Sequence, residues 1–484
     1  MRVYGGRVST PRRSPQPASE TDTGTRTGTG TDRRTGGRRR DVVTAVAAAV
    51  LVAVAAVVGV LIERAGQKLY VDWEPLYSEW MPHLGPGTVP AIAVAVAVAG
   101  WGPAVAARLS WRPLVWATWA GAMAWTFSLA LVDGWQRGIA GQLEDKHEYL
   151  LAMGRWDDPA ATLREFTDHI LIDVPQNWPA HVAGHPPGAM LTFVGLDRIG
   201  LGGGAWAGVF CIVAGTSAAA AILVTLKALG AERAARASAP FVVLAPAAVW
   251  IGTSADGYFA GVTAWGLALL AVAGTARSPG RWAAALGAGL LLGWVLYLSY
   301  GLTLAGILAL AVIACSRTLR PLPLAVLGAA AVAAAFTAAG FWWFEGYDLL
   351  VTRYYQGVGG ERPYYYWVWA NLAIVVITAG PAAVAGLRRA VVAAPAALRR
   401  LRRLRRRPSN GDDALAVMAT AAALAIAAAD LSGMSKAETE RIWLPFVVWL
   451  IPAAAFLPLR DHRVWLGVQA VLALLANHLL LNGW

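Results

Sequence analysis

Acidic residues lie at the edges of long apolar segments, where a carboxylate is costly unless it faces a cavity or a partner. Asp133 ends SLALVDGW, Asp256 begins TSADGYFA, and Glu440 precedes Arg441 in AETERIW. A lone carboxylate can take the proton of a sugar hydroxyl as a general base. Structural alternatives remain open: water exposure for Asp133, a first-turn helix position for Asp256, and mutual neutralisation of Glu440 and Arg441.

Basic residues in the polar segments between apolar runs are suited to hold a phosphate group. They are Arg353, Arg362, Lys436 and Arg441, and arginine is favoured because its forked donors match phosphate oxygens. A general base beside a phosphate-binding site is what an enzyme needs to transfer a sugar from a lipid phosphate to a hydroxyl group. The glycine-rich LGLGGGAW lacks a Walker lysine and follows no strand, so the sequence predicts no nucleotide site. The sugar donor would therefore arrive through the membrane.

The elements that must position these residues are membrane helices. The chain has 484 residues, is 57% hydrophobic and 14% charged, and its apolar residues form long runs with short charged breaks. This composition predicts an all-α, polytopic transmembrane helix bundle. The net charge of +12 is concentrated in arginines of the N-terminal tail and inter-helix breaks, which favours a role in membrane orientation over nucleic-acid binding. Cys211 and Cys315 lie in apolar runs, so we expect neither a disulfide nor a zinc site.

About thirteen apolar segments are candidates for membrane crossings. They begin near residues 42, 89, 112, 204, 238, 256, 282, 301, 321, 367, 411, 442 and 463, and the short segments near 238 and 301 leave the count open by one or two. With a cytoplasmic N-terminus, the arginine-rich breaks all fall inside, which predicts a multi-pass plasma-membrane protein. We expect a disordered basic cytoplasmic tail over 1–40, a transmembrane hairpin over 41–110 and the main module over 111–484.

The largest outer break, 133–186, carries nine acidic residues against four lysines or arginines. Its LREFTDHILI stretch has apolar residues at helical spacing, which predicts a helix in the membrane interface. Glu144, Asp145 and Glu148 in the same loop are candidates to supply a second carboxylate or to replace Asp133 as the base.

The loop closes with HVAGHPPGAM, where the double proline prevents a helix from beginning until after Pro187. This stiff corner would set His185 at the mouth of a site. His181 and His185 have the i, i+4 spacing of metal ligands on a helix, but Gly184 and the prolines oppose a helix there. Hydrogen bonding to a sugar is the preferred interpretation for both histidines.

The order helix, acidic residue, long outer loop, His-Pro-Pro, helix resembles the glycosyltransferase C superfamily, which includes protein mannosyltransferases and aminoarabinose transferases. In that family the first outer loop opens with Asp-Glu or Asp-x-Asp and often closes with His-Pro-Pro. Here the opening matches only as Asp133-Gly134, without the second acid, and the closing matches His185-Pro186-Pro187-Gly188. The chain also looks like integral membrane proteins of high-GC actinobacteria, a group whose family substrates are polyprenyl-phosphate mannose and arabinose.

The resemblance implies an extracytoplasmic active site that transfers mannose or arabinose from a polyprenyl-phosphate donor. The acceptor would be a cell-envelope glycan, lipid or protein. Asp133 would act as the base, and no cofactor is expected, with a divalent cation left open as an alternative. The catalytic candidates are thus Asp133 and Glu148, and the substrate-binding candidates are Glu144, Asp145, His181, His185, Asp256, Arg353, Lys436, Glu440 and Arg441.

Two other classes compete with a transferase. A transporter or flippase would be expected to have similar halves and ionisable residues at mid-membrane depth, whereas the polar residues here gather toward one face. A polysaccharide ligase or polymerase would be expected to place its key arginines and histidine in a late loop, and the late loops of this chain are short.

Overall fold

The computed structural model describes residues 29–403 and 411–482. Residues 1–28 of the predicted disordered tail lie outside this part of the chain. The first helix begins at Thr29, within the stretch for which the composition predicts a disordered tail. An apolar run that has already nucleated a helix extends it into neighbouring polar residues at little further cost, because each added residue gains a backbone hydrogen bond.

The predicted all-α membrane bundle is confirmed. The α-helices are, in chain order, α1 (Thr29–Arg64), α2 (Thr88–Arg108), α3 (Trp111–Ala130), α4 (Pro159–Arg164), α5 (Ala180–Ala183), α6 (Gly188–Arg198), α7 (Gly204–Thr216), α8 (Ala218–Ala228), α9 (Glu232–Val243), α10 (Ala248–Ile251), α11 (Ala255–Thr275), α12 (Gly280–Leu298), α13 (Ala305–Ser316), α14 (Leu322–Ala338), α15 (Trp343–Gln356), α16 (Val358–Glu361), α17 (Tyr364–Ala379), α18 (Pro381–Arg403), α19 (Gly411–Leu431), α20 (Thr439–Ile442), α21 (Leu444–Val447) and α22 (His462–Leu479). Short strands β1 (Ser78–Trp80) and β2 (Leu480–Asn482) pair antiparallel.

In the described part of the chain, eight helical segments are long and apolar enough to cross a membrane, or up to ten if each of two bent pairs is one span. The count differs from thirteen for two reasons. The candidates near 238, 301 and 367 are helices too short to qualify, and those near 442 and 463 belong to one bent pair. Conversely, Pro381–Leu401 reaches span length although it is not among the thirteen candidates. Hydropathy locates apolar residues along the chain but does not fix where a helix breaks.

The segment between α1 and α2, residues 65–87, is termed here the first connecting segment. It carries β1, and its end is joined to the end of α3 by a hydrogen bond from the amide of Gly87 to the carbonyl of Leu131. Through β2 it is also joined to the end of α22. These contacts hold the ends of α3 and α22 close to the first connecting segment. From Asp41 onward the chain is one compact unit, without a boundary at residue 110.

The predicted outer loop folds into successive short helical turns. Besides α4 and α5, it contains the 3-10 turns Leu131–Asp133, Gln142–Glu144, Tyr149–Arg155 and Thr167–His169 and the π-turn Gln136–Ala140. The LREFTDHILI stretch therefore does not form one helix: its α-helical part ends at Arg164. The rings of Phe166 and Trp178 stack with centroids 5.4 Å apart, and Arg155 lies 3.5 Å from the Trp178 ring centroid. This aromatic core gives the segment a fixed shape.

Candidate functional site

A buried arginine organises the polar residues at this end of the bundle. Arg441 on α20 is 2% exposed, and its Nη1 lies 3.1 Å from Oδ2 of Asp256 in the first turn of α11. Its Nη2 lies 3.0 Å from Nε2 of His181 on α5. Because a guanidinium only donates hydrogen bonds, Nε2 of His181 accepts, and the ring carries its proton on Nδ1.

The proton-bearing side of His181 faces a second carboxylate. Its Nδ1 lies 2.7 Å from Oε1 of Glu148. Burial of Glu148 favours the neutral acid, but His181 and Arg441 outweigh burial and lower the pKa of Glu148. Glu148 is therefore an ionised carboxylate. We call the series Glu148, His181, Arg441 and Asp256 the polar chain.

Backbone strain surrounds the contact between Arg441 and Asp256. Thr253 has φ 56°, and Ala437 and Glu438, just before α20, have φ 68° and 60°. This left-handed conformation is unfavourable for residues with a Cβ, and most of all for a β-branched threonine. Thr253 is held there by a 2.8 Å hydrogen bond from its Oγ1 to the carbonyl of Gly138. Strain of this kind concentrates at functional sites, where surrounding contacts maintain it.

The His-Pro-Pro corner positions His181. Nδ1 of His185 donates to the carbonyl of His181 at 2.7 Å, and burial lowers the pKa of His185 to about 4, so its ring is neutral. As the prolines predicted, α6 begins at Gly188. A Cβ at Gly188 would lie 2.3 Å from the carbonyl oxygen of Tyr297, so the motif needs glycine for close backbone approach to α12.

A second charged group adjoins Arg441. Glu438 lies 3.8 Å from Arg441 and also 3.0 Å from Nη1 of the buried Arg362. Arg362 further donates to the carbonyls of Lys436 and, in the first connecting segment, Leu69. The ammonium of Lys436 donates to the carbonyl of Gly359 at 2.9 Å. These cations are occupied in holding loops together.

Glu440 and Arg441 do not neutralise each other, in contrast to one of the alternatives from the sequence. Glu440 is 0% exposed, and its Oε1 accepts a 3.1 Å hydrogen bond from the amide of Tyr77 in the first connecting segment. Its Oε2 has no hydrogen-bond partner among the described residues. Burial raises the pKa of Glu440 to about 7. The Glu440 side chain thus connects the first connecting segment to helix α20, which also carries Arg441.

Asp133 belongs to a different cluster. Its Oδ1 lies 3.0 Å from Nε2 of His83 and 3.3 Å from Nη2 of Arg137, and its side chain is 15% exposed. Within the described residues, neither its ion pairs nor its hydrogen bonds reach the polar chain. Both clusters contact the first connecting segment, through His83 in one and through Tyr77 beside Glu440 in the other. They therefore lie at the same end of the bundle.

The remaining predicted site residues have separate positions. Glu144 is exposed and accepts a 2.9 Å hydrogen bond from the amide of Gly204 at the start of α7. Asp145 is also exposed and accepts from the amide of His147 at 3.4 Å. Arg353 on α15 donates a 3.3 Å hydrogen bond to the carbonyl of Trp178. Trp178 precedes His181 by three residues. Among the described residues no carboxylate pairs with Arg353.

Sequence reasoning missed four contributors to these clusters: His83, Arg137, Tyr149 and Glu438. His83 lies in a segment that was assigned to a separate hairpin, and no local pattern links it to Asp133. Tyr149 follows Glu148 directly, is buried, and its ring packs between those of His185 and Phe193. Its hydroxyl has no hydrogen-bond partner in the described part of the chain.

The bundle interior contains an apolar cavity lined by residues that include Ala122, Gly215, Ile222, Val243 and Ile451, and no ionisable side chain lines it. Over residues 29–403 and 411–482, no group of three or more His, Cys, Asp or Glu side chains is arranged to hold a metal ion. Cys211 and Cys315 are free and buried.

No family model and no curated protein sequence matches the chain. Solved structures that are similar to it include ArnT and an oligosaccharyltransferase. ArnT from Cupriavidus metallidurans, in the apo state, aligns with a TM-score of 0.41 at 19% identity over 69% of this chain and 58% of that one. The oligosaccharyltransferase of Archaeoglobus fulgidus, tethered with an acceptor peptide, aligns with a TM-score of 0.41 at 12% identity over 71% of this chain and 49% of that one. The alignment thus spans only about half of each of these chains, and at this similarity no residue role is carried over.

Proposed function

We propose that the chain is a membrane glycosyltransferase that moves a sugar from a polyprenyl-phosphate donor to an extracytoplasmic acceptor. The observation that carries this proposal is the polar chain. Charged groups from segments far apart in sequence are buried together at one end of a membrane bundle, next to strained backbone. Burying such groups costs several kcal/mol per ion before pairing, so a purely structural bundle would be expected to use apolar residues instead.

Asp133 is proposed as the general base. Its side chain is partly exposed, so an acceptor hydroxyl can reach it, whereas Oε1 of Glu148 is already occupied by His181. The acceptor oxygen would attack the anomeric carbon on the face opposite the phosphate, and the bond from that carbon to the phosphate oxygen would break with inversion. Glu148 is the alternative base, because its Oε2 is buried without a hydrogen-bond partner in the described residues.

Arg353 is proposed to bind the donor phosphate. Of the predicted cations, Lys436 holds a backbone carbonyl and Arg441 is committed to Asp256, while Arg353 has a buried Nη1 without an acceptor in the described part of the chain. Its helix α15 turns by 75° from α14, and the exposed rings of Trp342, just before α15, and Phe344, in its first turn, lie at the bend. Exposed aromatic rings at a helix bend suit the membrane interface, where a lipid phosphate lies.

The finer assignments rest on the sequence. The arginine-rich breaks support a cytoplasmic N-terminus in the plasma membrane, which would place the polar chain on the outer side. The order of Asp133, the long loop and His185-Pro186-Pro187 resembles the glycosyltransferase C superfamily, and on that basis the sugar is proposed to be mannose or arabinose. The acceptor would then be a glycan, lipid or protein of the cell envelope.

The test is a transfer assay in membranes that contain the full-length chain, with radiolabelled polyprenyl-phosphate mannose and, separately, arabinose. Asp133→Asn is expected to lower the rate by about a hundredfold or more, the usual contribution of a general base. Arg353→Ala is expected to raise the donor KM because a charge-assisted phosphate contact is lost.

Matched controls are Asp168→Asn and Arg198→Ala, which change exposed residues of the same outer loop and of α6. Both should transfer sugar at the wild-type rate. Loss of transfer in Glu148→Gln with full transfer in Asp133→Asn would move the base to Glu148. If wild-type membranes transfer neither sugar, or if all three site variants are fully active, the proposed function is wrong.

A further inference from the structure

Asp133 is paired with a histidine from a part of the chain that the sequence assigned to a separate hairpin. We propose that His83 is a positioning residue that takes over the proton collected by Asp133, so that the two side chains act as one base. This inference rests on the proposed function, because it assumes that Asp133 meets the acceptor hydroxyl. It adds the first connecting segment to the catalytic unit.

The contacts of the His83 ring indicate which of its nitrogens carries a proton. Nδ1 lies 2.6 Å from the carbonyl oxygen of Met81, and Nε2 lies 3.0 Å from Oδ1 of Asp133. A carbonyl only accepts hydrogen bonds, so Nδ1 bears a proton. Nε2 then faces a carboxylate oxygen, and the pair is stabilised when one further proton lies between them. A proton collected by Asp133 can therefore pass across this 3.0 Å contact to Nε2 of His83.

Few other charges face this pair. Arg137, in the turn that follows Asp133, has its Nη2 3.3 Å from Oδ1 and favours the ionised carboxylate. On the adjoining helix α22, Nε2 of His478 lies 3.0 Å from the hydroxyl of Thr88 and is engaged there instead. The side chains of His83 and Asp133 are 12% and 15% exposed, so the pair is sheltered but in contact with the outside.

The backbone around His83 is fixed by the end of the chain. Strand β1 pairs with β2, the amide of Met81 donates to the carbonyl of Leu479 at 3.0 Å, and the amide of His83 donates to the carbonyl of His478 at 2.8 Å. These hydrogen bonds hold the imidazole in place relative to α22. A surface hairpin with no role in the site would not need this support.

The proposed step begins with Asp133 ionised and His83 neutral. The acceptor O–H bond breaks as its oxygen forms a bond to the anomeric carbon, and the proton passes to Asp133 and then to Nε2 of His83. The bond from the anomeric carbon to the phosphate oxygen breaks, and its electron pair leaves with the polyprenyl phosphate. The pair now consists of a carboxylate and an imidazolium. Its proton is released to water before the next acceptor binds.

The experiment is a pH–rate profile of sugar transfer by full-length protein in membranes, for wild type, His83→Gln and the control His147→Gln. His147 is an exposed histidine of the outer loop. His83→Gln is expected to slow transfer by about tenfold or more at neutral pH, a fraction of the full contribution of a general base. The acid limb of its profile should move to higher pH, because burial raises the pKa of Asp133 and the contact with His83 opposes that rise. The donor KM should not change.

A second variant, His83→Ala, tests the same step without the glutamine side chain that His83→Gln introduces. His83→Ala should regain part of its rate when free imidazole is added to the membranes, which a purely structural histidine would not allow. An acid limb at the wild-type pH in His83→Gln, or no response of His83→Ala to imidazole, would overturn the proposal. Full transfer by Asp133→Asn would overturn it too while leaving glycosyl transfer intact, whereas a wild type without transfer would contradict the proposed function itself.

Discussion

Removing the guanidinium of Arg441 tests whether the polar chain is a buried electrostatic unit. In Arg441→Ala, Asp256, which is 3% exposed, loses its ion-pair partner, and Nε2 of His181 loses its hydrogen-bond donor. A buried carboxylate without a partner must either stay charged in a poor environment or take up a proton. We therefore expect Arg441→Ala to be strongly destabilising.

The size of the effect follows from the burial of the pair. Breaking a buried ion pair by removing one partner costs about 3–5 kcal/mol, mainly because the other charge remains buried. The unfolding entropy scales with chain length, so for a chain of this size each kcal/mol corresponds to about 1 °C in Tm. The expected fall in Tm is about 3–5 °C if the chain unfolds as one unit.

The assay is thermal unfolding of the detergent-solubilised protein, followed by tryptophan fluorescence. Arg460→Ala is the matched control, since the Arg460 side chain is 63% exposed and lies at the start of the last long helix. A double variant, Arg441→Gln with Asp256→Asn, removes both charges and should recover much of the lost Tm. An unchanged Tm in Arg441→Ala, or a double variant no more stable than the single one, would refute the assignment of a buried charged network.

Two further predictions concern the residues around the polar chain. Gly188→Ala should lower the free energy of unfolding by about 1–3 kcal/mol, because the added methyl group would overlap the carbonyl of Tyr297. The same thermal unfolding assay measures this change. A wild-type Tm in this variant would show that α6 and α12 can move apart freely. Burial raises the pKa of Glu440 from an ordinary value of 4.5 to about 7, so the stability that this protonated acid contributes is fully present below pH 4.5 and is lost as the pH rises through 7. Glu440→Gln has no such titration, so its Tm relative to wild type should be higher at pH 8 than at pH 5, and a pH-independent difference would contradict the assigned burial of this acid.

The amino-acid sequence alone determined the membrane class and the all-α architecture, because a run of apolar residues long enough to cross a bilayer is a local property. It also marked acids at segment edges and the rigid corner at His185-Pro186-Pro187, since proline acts on its own backbone. The structure places three of the residues marked in the sequence, Asp256, His181 and Glu148, in the polar chain.

Only the tertiary structure decided which of these residues are partners. Arg441 pairs with Asp256 and not with its neighbour Glu440, and Asp133 pairs with His83 from the first connecting segment. Hydropathy gives the position of a helix along the chain but not its rotation or its neighbours, and short helices and bends moved several boundaries. Contacts between residues hundreds of positions apart depend on how whole helices pack, and no local pattern in the sequence carries that information.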